Sequence, residues 1–266
     1  MGVTRIERAQ LSPGRTPRRW LLASLWGRMR ARYRESWLAL PESHRKRWLL
    51  TILTCALGLF GLMAGLVQIG KIAVAQHLLD WEAEFLRTLE LRGPFGFSGA
   101  VWFQTFGTDI TLAILIMFSA SLSAWNRRPL SALSIPLAFI GVDLVVRFGW
   151  ASWDRVRPDI IMQGLASPGF HSFPSGHTGK TLAVYGFLAF LWWRATQNVT
   201  ERVFVLVLTA FIVVIVPLGR LRMGVHWPSD IIGGYIIGMV WLGCLIWATR
   251  LENRTTRAHA APAGPA

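Results

Sequence analysis

Long apolar runs separated by short polar segments dominate this chain. Runs that are long enough, or nearly so, to cross a hydrocarbon core of about 30 Å as helices lie near residues 49–70, 97–124, 130–149, 177–193, 203–219 and 230–248. The pattern therefore predicts an all-α fold, a bundle of six transmembrane helices. The second run is over-long and contains Gln104, Gly107 and Asp109, so we expect its first third to be an interfacial helix.

Composition and charge divide the chain into three parts. Of the 266 residues, 53% are hydrophobic and 16% are charged, which is typical of a chain made mostly of membrane spans. Residues 1–48 carry 12 of the 28 Lys and Arg residues and form a basic arm, in which aromatic residues recur at roughly helical spacing between arginines. We expect an amphipathic helix in this arm, bound to anionic lipid headgroups rather than to nucleic acid; a disordered arm is the alternative. A six-span domain over 49–250 and a disordered tail over 251–266 complete the prediction.

The distribution of basic residues predicts the orientation. The N-terminal arm, the second and fourth loops between spans and the C-terminal tail together hold 19 of the 28 basic residues. Because positive charge is retained in the cytoplasm, both termini are expected there. The ends of spans three and five and the starts of spans four and six then face outward, in what we expect to be a bacterial plasma membrane.

This topology gathers distant polar residues at one outward-facing surface. They are Arg155, Arg157, His171, Ser175, His177, Arg220, Arg222, His226 and Asp230. The surface is rich in arginine, which would repel a cation, and it has no zinc-binding sequence pattern. We therefore expect an anion site with no metal and no cofactor.

The residues of this outward-facing surface form three groups along the sequence, and each group suggests a chemical role. In the stretch P-S-G-H, Ser175 predicts a helix N-cap and Gly176 allows close approach of an anion to free N–H groups, with His177 in the first turn. Arg220 can grip phosphate oxygens, and His226 precedes Asp230 by four residues, so that one helical turn would pair imidazole and carboxylate. Arg155 and Arg157 add two guanidinium groups at the end of span three. The alternative is that these arginines only extend their side chains to the membrane interface and bind no phosphate.

In order, these residues resemble the signature of the type 2 phosphatidic acid phosphatase superfamily, which also includes vanadium haloperoxidases. The second motif is complete in Pro174-Ser175-Gly176-His177, and the third is present as Arg220, His226 and Asp230, with Gly219 in place of Ser. The resemblance covers about 80–250 and implies an integral-membrane phosphomonoesterase or diphosphatase that needs no metal.

The resemblance also implies a role for each residue. His226 would attack phosphorus to form a phosphohistidine, Asp230 would stabilise its imidazolium, and His177 would protonate the leaving oxygen and then activate water. Arg157, Arg220, Ser175 and the Gly176 N–H would hold the phosphoryl oxygens, with Arg155 beside them.

One position departs from the family pattern. The first motif places a lysine seven residues before Arg157, where this chain has Trp150. Lys180, one helical turn after His177, is the first candidate to replace it, and Arg147 is the second, although Asp143 lies four residues before Arg147 and would pair with it. A lysine within a span is costly, so Lys180 should have a partner there.

The motifs leave the substrate open. An outward-facing site at the membrane surface favours a lipid phosphatase acting on undecaprenyl diphosphate, phosphatidylglycerol phosphate, phosphatidic acid or a lipid A phosphate. A phosphotransferase to another lipid would need the same residues, and a catalytically weak phospholipid-binding protein is the alternative from another class. A transporter and a soluble haloperoxidase fit the topology less well. The oligomeric state is not readable from the sequence.

Overall fold

A computed structural model describes residues 18–160 and 171–250 of the chain. The predicted disordered tail and the first 17 residues of the basic arm lie outside these ranges. Within them all regular structure is helical, which confirms the all-α prediction. The helices are α1 (Arg18–Ala39), α2 (Glu42–Ala75), α3 (Trp81–Arg92), α4 (Phe97–Gln104), α5 (Asp109–Trp125), α6 (Pro129–Ser152), α7 (Gly176–Ala195), α8 (Val199–Arg222) and α9 (Pro228–Thr249).

Five helical stretches of the described chain, rather than six, are long and apolar enough to cross a membrane. They are α2, the stretch Phe97–Trp125 that contains α4 and α5, α6, α8 and α9. The predicted fourth span corresponds to α7, whose 20 residues extend about 30 Å but include Lys180 and Arg194. The polar composition of α7 follows from its position, because nearly every residue over 176–184 is buried against other helices.

The over-long second run is divided into two helices near Gly107. Helix α4 ends at Gln104, a 3₁₀ turn covers Thr105–Gly107, and α5 begins at Asp109. The side chain of Thr108 caps α5 by accepting a hydrogen bond from the N–H of Thr111 at 3.4 Å. The placement of α4 in the membrane interface stays a prediction.

Helices α6, α7 and α9 form the centre of the bundle, with α2, α5 and α8 packed around them. Glycines bring α7 and α9 into close contact: a Cβ at Gly234 would lie 2.6 Å from the carbonyl oxygen of Ser175, and one at Gly238 would lie 2.8 Å from that of Gly179. Such small-residue contacts let two backbones approach where larger side chains would separate them. The N-terminal ends of α7 and α9 therefore lie side by side.

Helix α1 lies in the basic arm, while the amphipathic character expected of a helix there stays a prediction. It packs against α5 and α6, where the guanidinium of Arg32 lies 4.9 Å from the ring centre of Trp125 and Arg127 pairs with Glu35 at 3.2 Å. The boundary predicted between residues 48 and 49 falls inside α2, so the division into arm and membrane domain stays a prediction, as does lipid binding by α1.

Candidate active site

The P-S-G-H loop and the start of α9 are joined directly by hydrogen bonds. The backbone N–H of Ser175 donates to the carbonyl oxygen of Asp230 at 3.0 Å, and the hydroxyl of Ser172 donates to the Asp230 carboxylate. The two strongest sequence motifs, which are separated by about 50 residues, thus form one local structure at the end of the bundle.

His226 lies in the loop before α9 and is almost fully buried. Its Nδ1 is 2.9 Å from the carbonyl oxygen of Ser172 and 3.4 Å from Oδ2 of Asp230. Both neighbours can only accept a hydrogen bond, so Nδ1 carries the hydrogen and Nε2 keeps its lone pair when the ring is neutral. The expected pairing of His226 with Asp230 is present, although the Ser172 carbonyl is the nearer partner.

The surroundings of His226 keep its imidazole neutral. Burial lowers the pKa of His226 to about 4; the charges of Arg220 and Arg157 lower it further, while Asp230 opposes the shift. The ring is therefore uncharged at neutral pH, which is the form that a nucleophile requires.

Asp230 is completely buried and its carboxylate is held from several sides. Oδ2 accepts the backbone N–H of Trp227 at 2.8 Å, and Oδ1 accepts Nη1 of Arg155 at 2.6 Å. These bonds fix the carboxylate in the orientation that places Oδ2 beside His226.

Arg155, predicted among the phosphate-binding residues, is 8% exposed and bound to protein groups. Besides Asp230, its guanidinium donates to Glu82 Oε2 and to the Ser229 hydroxyl, both at 2.6 Å, and it lies over the rings of Trp153 and Trp227 at 5.3 and 5.7 Å. A phosphate contact by Arg155 would compete with these bonds, and phosphate binding by this residue stays a prediction.

The N-terminus of α7 offers backbone donors next to His177. Ser175 occupies the N-cap position, as predicted, but its side chain makes no capping bond; its hydroxyl instead accepts from Thr178 at 3.0 Å. The expected side-chain cap is therefore wrong, and the N–H groups of the first turn keep no intrahelical acceptor. His177 lies within electrostatic reach of Arg220, His226 and Arg157.

Arg157 and Arg220 lie near His177 but belong to different parts of the chain: Arg157 follows α6, and Arg220 is near the end of α8. Arg157 donates to the carbonyl oxygens of Val225 at 2.8 Å and His171 at 3.3 Å, and burial lowers its pKa. Arg220 donates from Nη1 to Oε1 of Gln104 at 2.6 Å. Its Nε is buried and has no hydrogen-bond partner among the described residues, so this guanidinium retains a donor for a ligand.

Lys180 has the partners that its position in a span required. Its ammonium group bonds to Asp109 and lies 3.4 Å from Oδ1 of Asp143, while the side chain is only 7% exposed. Arg147 binds Asp143 at 2.7 Å, as expected from their spacing. Direct contact between Lys180 and a phosphate stays a prediction, because both carboxylates already compete for the ammonium.

Trp150, at the position of the missing lysine, makes a structural contact. Its indole Nε1 donates to the carbonyl oxygen of Pro174 at 3.2 Å, and its ring stacks on His171 with 6.0 Å between ring centres. The tryptophan thus connects the end of α6 to the P-S-G-H loop and adds no charge to the site.

Sequence reasoning missed three residues with a clear place in this arrangement. Ser172 accepts the His226 hydrogen, Gln104 holds Arg220, and Glu82 holds Arg155. Ser172 lies among the hydroxyl residues before α7, and Gln104 is a polar residue in an apolar run, so the sequence contained a weak indication of each. Glu82 is one of four acidic residues in the segment 71–92, and nothing in the sequence distinguished it from the other three.

Fold and site together define an all-helical integral membrane protein with a buried histidine, aspartate and arginine centre. Residues 131–254 match the PAP2 superfamily, so the chain contains a domain of this superfamily, and the predicted resemblance is confirmed.

Two curated relatives and one solved structure are similar to this chain. It is 28% identical over 135 residues to phosphatidylglycerophosphatase B of Bacillus subtilis, a match over 50% of this chain and 64% of the relative. It is 38% identical over 74 residues to a putative undecaprenyl-diphosphatase of Escherichia coli, a match over 28% of this chain and 32% of that protein. The crystal structure of a transmembrane PAP2 type phosphatidylglycerolphosphate phosphatase from Bacillus subtilis superimposes with a TM-score of 0.60 at 22% identity. The superposition covers 72% of this chain and 94% of the other, and it supports the fold.

Proposed function

We propose that this protein is a membrane lipid phosphatase that works through a phosphohistidine on His226. The observation that carries the proposal is the fixed tautomer of His226: Nδ1–H faces the Ser172 carbonyl and the Asp230 carboxylate, so Nε2 is the free nucleophilic atom. The phosphatase names of the curated relatives support the same reaction class.

In the first step, Nε2 of His226 attacks the phosphorus and the bond from phosphorus to the leaving oxygen breaks. The imidazole gains positive charge, which the Asp230 carboxylate stabilises. His177, in its protonated form, donates a proton to the leaving oxygen. Arg157, Arg220 and the N–H groups at the start of α7 hold the phosphoryl oxygens while charge shifts between them.

In the second step, water attacks the phosphohistidine. His177, now neutral, takes a proton from the water as its oxygen bonds to phosphorus, and the bond from phosphorus to Nε2 breaks. Inorganic phosphate leaves and His226 returns to its neutral form. The arginines that neutralise the phosphate would repel a metal cation, which supports a reaction without a metal ion.

The substrate we propose is a lipid phosphate or diphosphate, reached from the outward side of the membrane. The basic residues Arg194 and Arg202 lie at the opposite end of α7 and α8 from His177 and Arg220, which supports an external site under the positive-inside rule. The names of the relatives make phosphatidylglycerol phosphate and undecaprenyl diphosphate the first candidates; phosphatidic acid and lipid A phosphates follow.

The test is phosphate release by detergent-solubilised protein from a panel of these four lipids, with EDTA present. We expect release by the wild-type protein and none by a His226→Ala variant. His77→Asn is the control, since this exposed histidine pairs with Asp80 at 3.2 Å in the segment between α2 and α3, and asparagine tolerates the positive φ of 59° at this position.

Each other outcome has a distinct meaning. Release that EDTA abolishes would overturn the metal-free mechanism, and release that persists in His226→Ala would overturn the phosphohistidine. Transfer of phosphate to an added lipid alcohol, with little free phosphate, would identify a phosphotransferase. No release from any lipid by folded wild-type protein would favour the phospholipid-binding alternative.

A further inference from the structure

Glu82, on α3, belongs to a buried chain of charged groups that ends at His226. Its Oε2 accepts Nη2 of Arg155 at 2.6 Å, and Nη1 of the same guanidinium donates to Asp230 Oδ1 at 2.6 Å. The exposed fractions of Glu82, Arg155 and Asp230 are 2%, 8% and 0%. The other oxygen of Asp230 faces His226.

The same carboxylate also holds the beginning of α9. Oε1 of Glu82 accepts the backbone N–H of Ser229 at 2.7 Å, while the Ser229 hydroxyl accepts Nη1 of Arg155 at 2.6 Å. A negative charge is favourable at this helix N-terminus, where N–H groups lack intrahelical acceptors. Glu82 thus contacts both the guanidinium and the backbone that together position Asp230.

The charges along this chain explain why a second carboxylate is useful. Arg155 bound to Asp230 alone would neutralise it and weaken its attraction for a positive imidazole. With Glu82 present, the three groups carry a net charge of −1 in surroundings of low dielectric constant. That surplus negative charge can then balance the positive charge that develops on His226.

We propose that Glu82 is a positioning residue of the reaction, which orients Arg155 and Asp230 and leaves the negative charge of Asp230 available to His226. This inference rests on the proposed function, and it adds a residue from α3, outside the residues that match the PAP2 superfamily.

A purely structural role makes different predictions. If Glu82 only fixed α3 to the bundle, its removal would lower stability and affect phosphate binding and turnover alike. If it supplies charge to the Asp230–His226 pair, its removal would affect the step in which the imidazole becomes positive and would spare binding of the ground state.

The kinetic test compares wild type with Glu82→Gln, Glu82→Asp and Glu84→Gln, using the lipid of the panel that gives the highest turnover. For Glu82→Gln we expect kcat to fall by about 10- to 100-fold while KM changes less than about threefold. Glu82→Asp keeps the charge on a shorter side chain and should give an intermediate kcat. Glu84 is exposed on the same helix and 3.9 Å from Arg87, so Glu84→Gln should match wild type.

A binding test makes the conclusion independent of lipid turnover. Orthovanadate can bond to the nucleophilic nitrogen and mimic the five-coordinate transition state, whereas inorganic phosphate mimics the product. Tryptophan fluorescence titrations should show vanadate affinity reduced about 10-fold or more in Glu82→Gln, with phosphate affinity nearly unchanged.

Three outcomes would overturn the proposal. These are a Glu82→Gln variant with wild-type kcat, equal losses of phosphate and vanadate affinity, and a lowered melting temperature that accounts for the loss of activity. Absence of turnover in wild type would instead contradict the proposed function, and the two titrations would still decide the place of Glu82.

Discussion

Among single residues, His226 has the clearest dependence on pH. Its pKa falls from the ordinary value of 6.5 to about 4 in the folded protein, chiefly through burial. Below pH 6.5 the unfolded chain therefore binds a proton at this site that the folded chain does not bind. The free energy of unfolding should fall as the pH drops from 6.5 to 4, by up to about 3 kcal/mol from this group.

This dependence can be measured as the change in melting temperature between pH 7.5 and pH 5 in detergent, without phosphate. We expect a larger decrease for wild type than for His226→Gln, which cannot take up the proton. Equal decreases in the two proteins would show that His226 is not the group responsible.

Lys180 gives a second prediction at this scale. Replacing it by Met removes the cation shared by Asp109, which is 59% exposed, and Asp143, which keeps its bond to Arg147. Because neither carboxylate is left buried without a partner, we expect a cost of about 1 kcal/mol. Lys180→Met should thus lower the melting temperature by about 2–4 °C, and addition of Asp143→Asn should restore part of the loss. An unchanged melting temperature together with weaker phosphate binding would favour the phosphate contact predicted from the sequence.

The packing of α7 against α9 yields a prediction about helices. At Gly234 an added Cβ would lie 2.6 Å from the Ser175 carbonyl oxygen and 2.9 Å from Cβ of Thr178, whereas at Gly243 it would meet nothing within 4 Å. Gly234→Ala should separate the two helix ends that carry His177 and Asp230, at a cost of about 1–3 kcal/mol. We expect kcat to fall sharply in this variant.

Gly243→Ala is the matched control, since it makes the same substitution in the same helix. Its kcat and melting temperature should equal or exceed those of wild type, because alanine is the better helix former. Similar losses in both variants would contradict the importance of the close contact at Gly234.

Helix positions and the main site motifs followed from the sequence because they depend on local signals. Apolar runs marked the spans, and the fixed spacings around His177 and His226 marked the helix ends that meet. The sequence could not show the bonds of Arg155 to Glu82 or of Arg220 to Gln104, since these depend on how distant elements pack. The sequence also provided no reason to place α7 at the centre of the bundle. In that position α7 contacts protein rather than lipid, which accounts for its polar residues.

For the molecule as a whole, the prediction concerns which end faces outward. Leu91 on α3 and Val199 at the start of α8 are 83% and 69% exposed, and they lie toward opposite ends of the bundle. In a variant without Cys55 and Cys244, a cysteine at 91 should react with a membrane-impermeant maleimide in intact cells. A cysteine at 199 should react only after the cells are permeabilised.

The reverse labelling pattern would place the site in the cytoplasm and contradict the orientation proposed here. The two positions serve as controls for each other, because each is an exposed apolar residue on a helix and neither contributes to the phosphate site.

The central position of α7 has a consequence for biosynthesis. Helix α7 is not among the five described stretches that are long and apolar enough to cross a membrane. Its second turn carries Lys180, a charge that is costly in lipid, and the partners of this lysine, Asp109 and Asp143, lie on helices made earlier. We therefore expect inefficient insertion of α7 into the membrane by the translocon when α7 is presented as an isolated segment. Helix α7 would enter the bilayer with α8, to which the short segment 196–198 connects it, after α5 and α6 are in place to receive its charge.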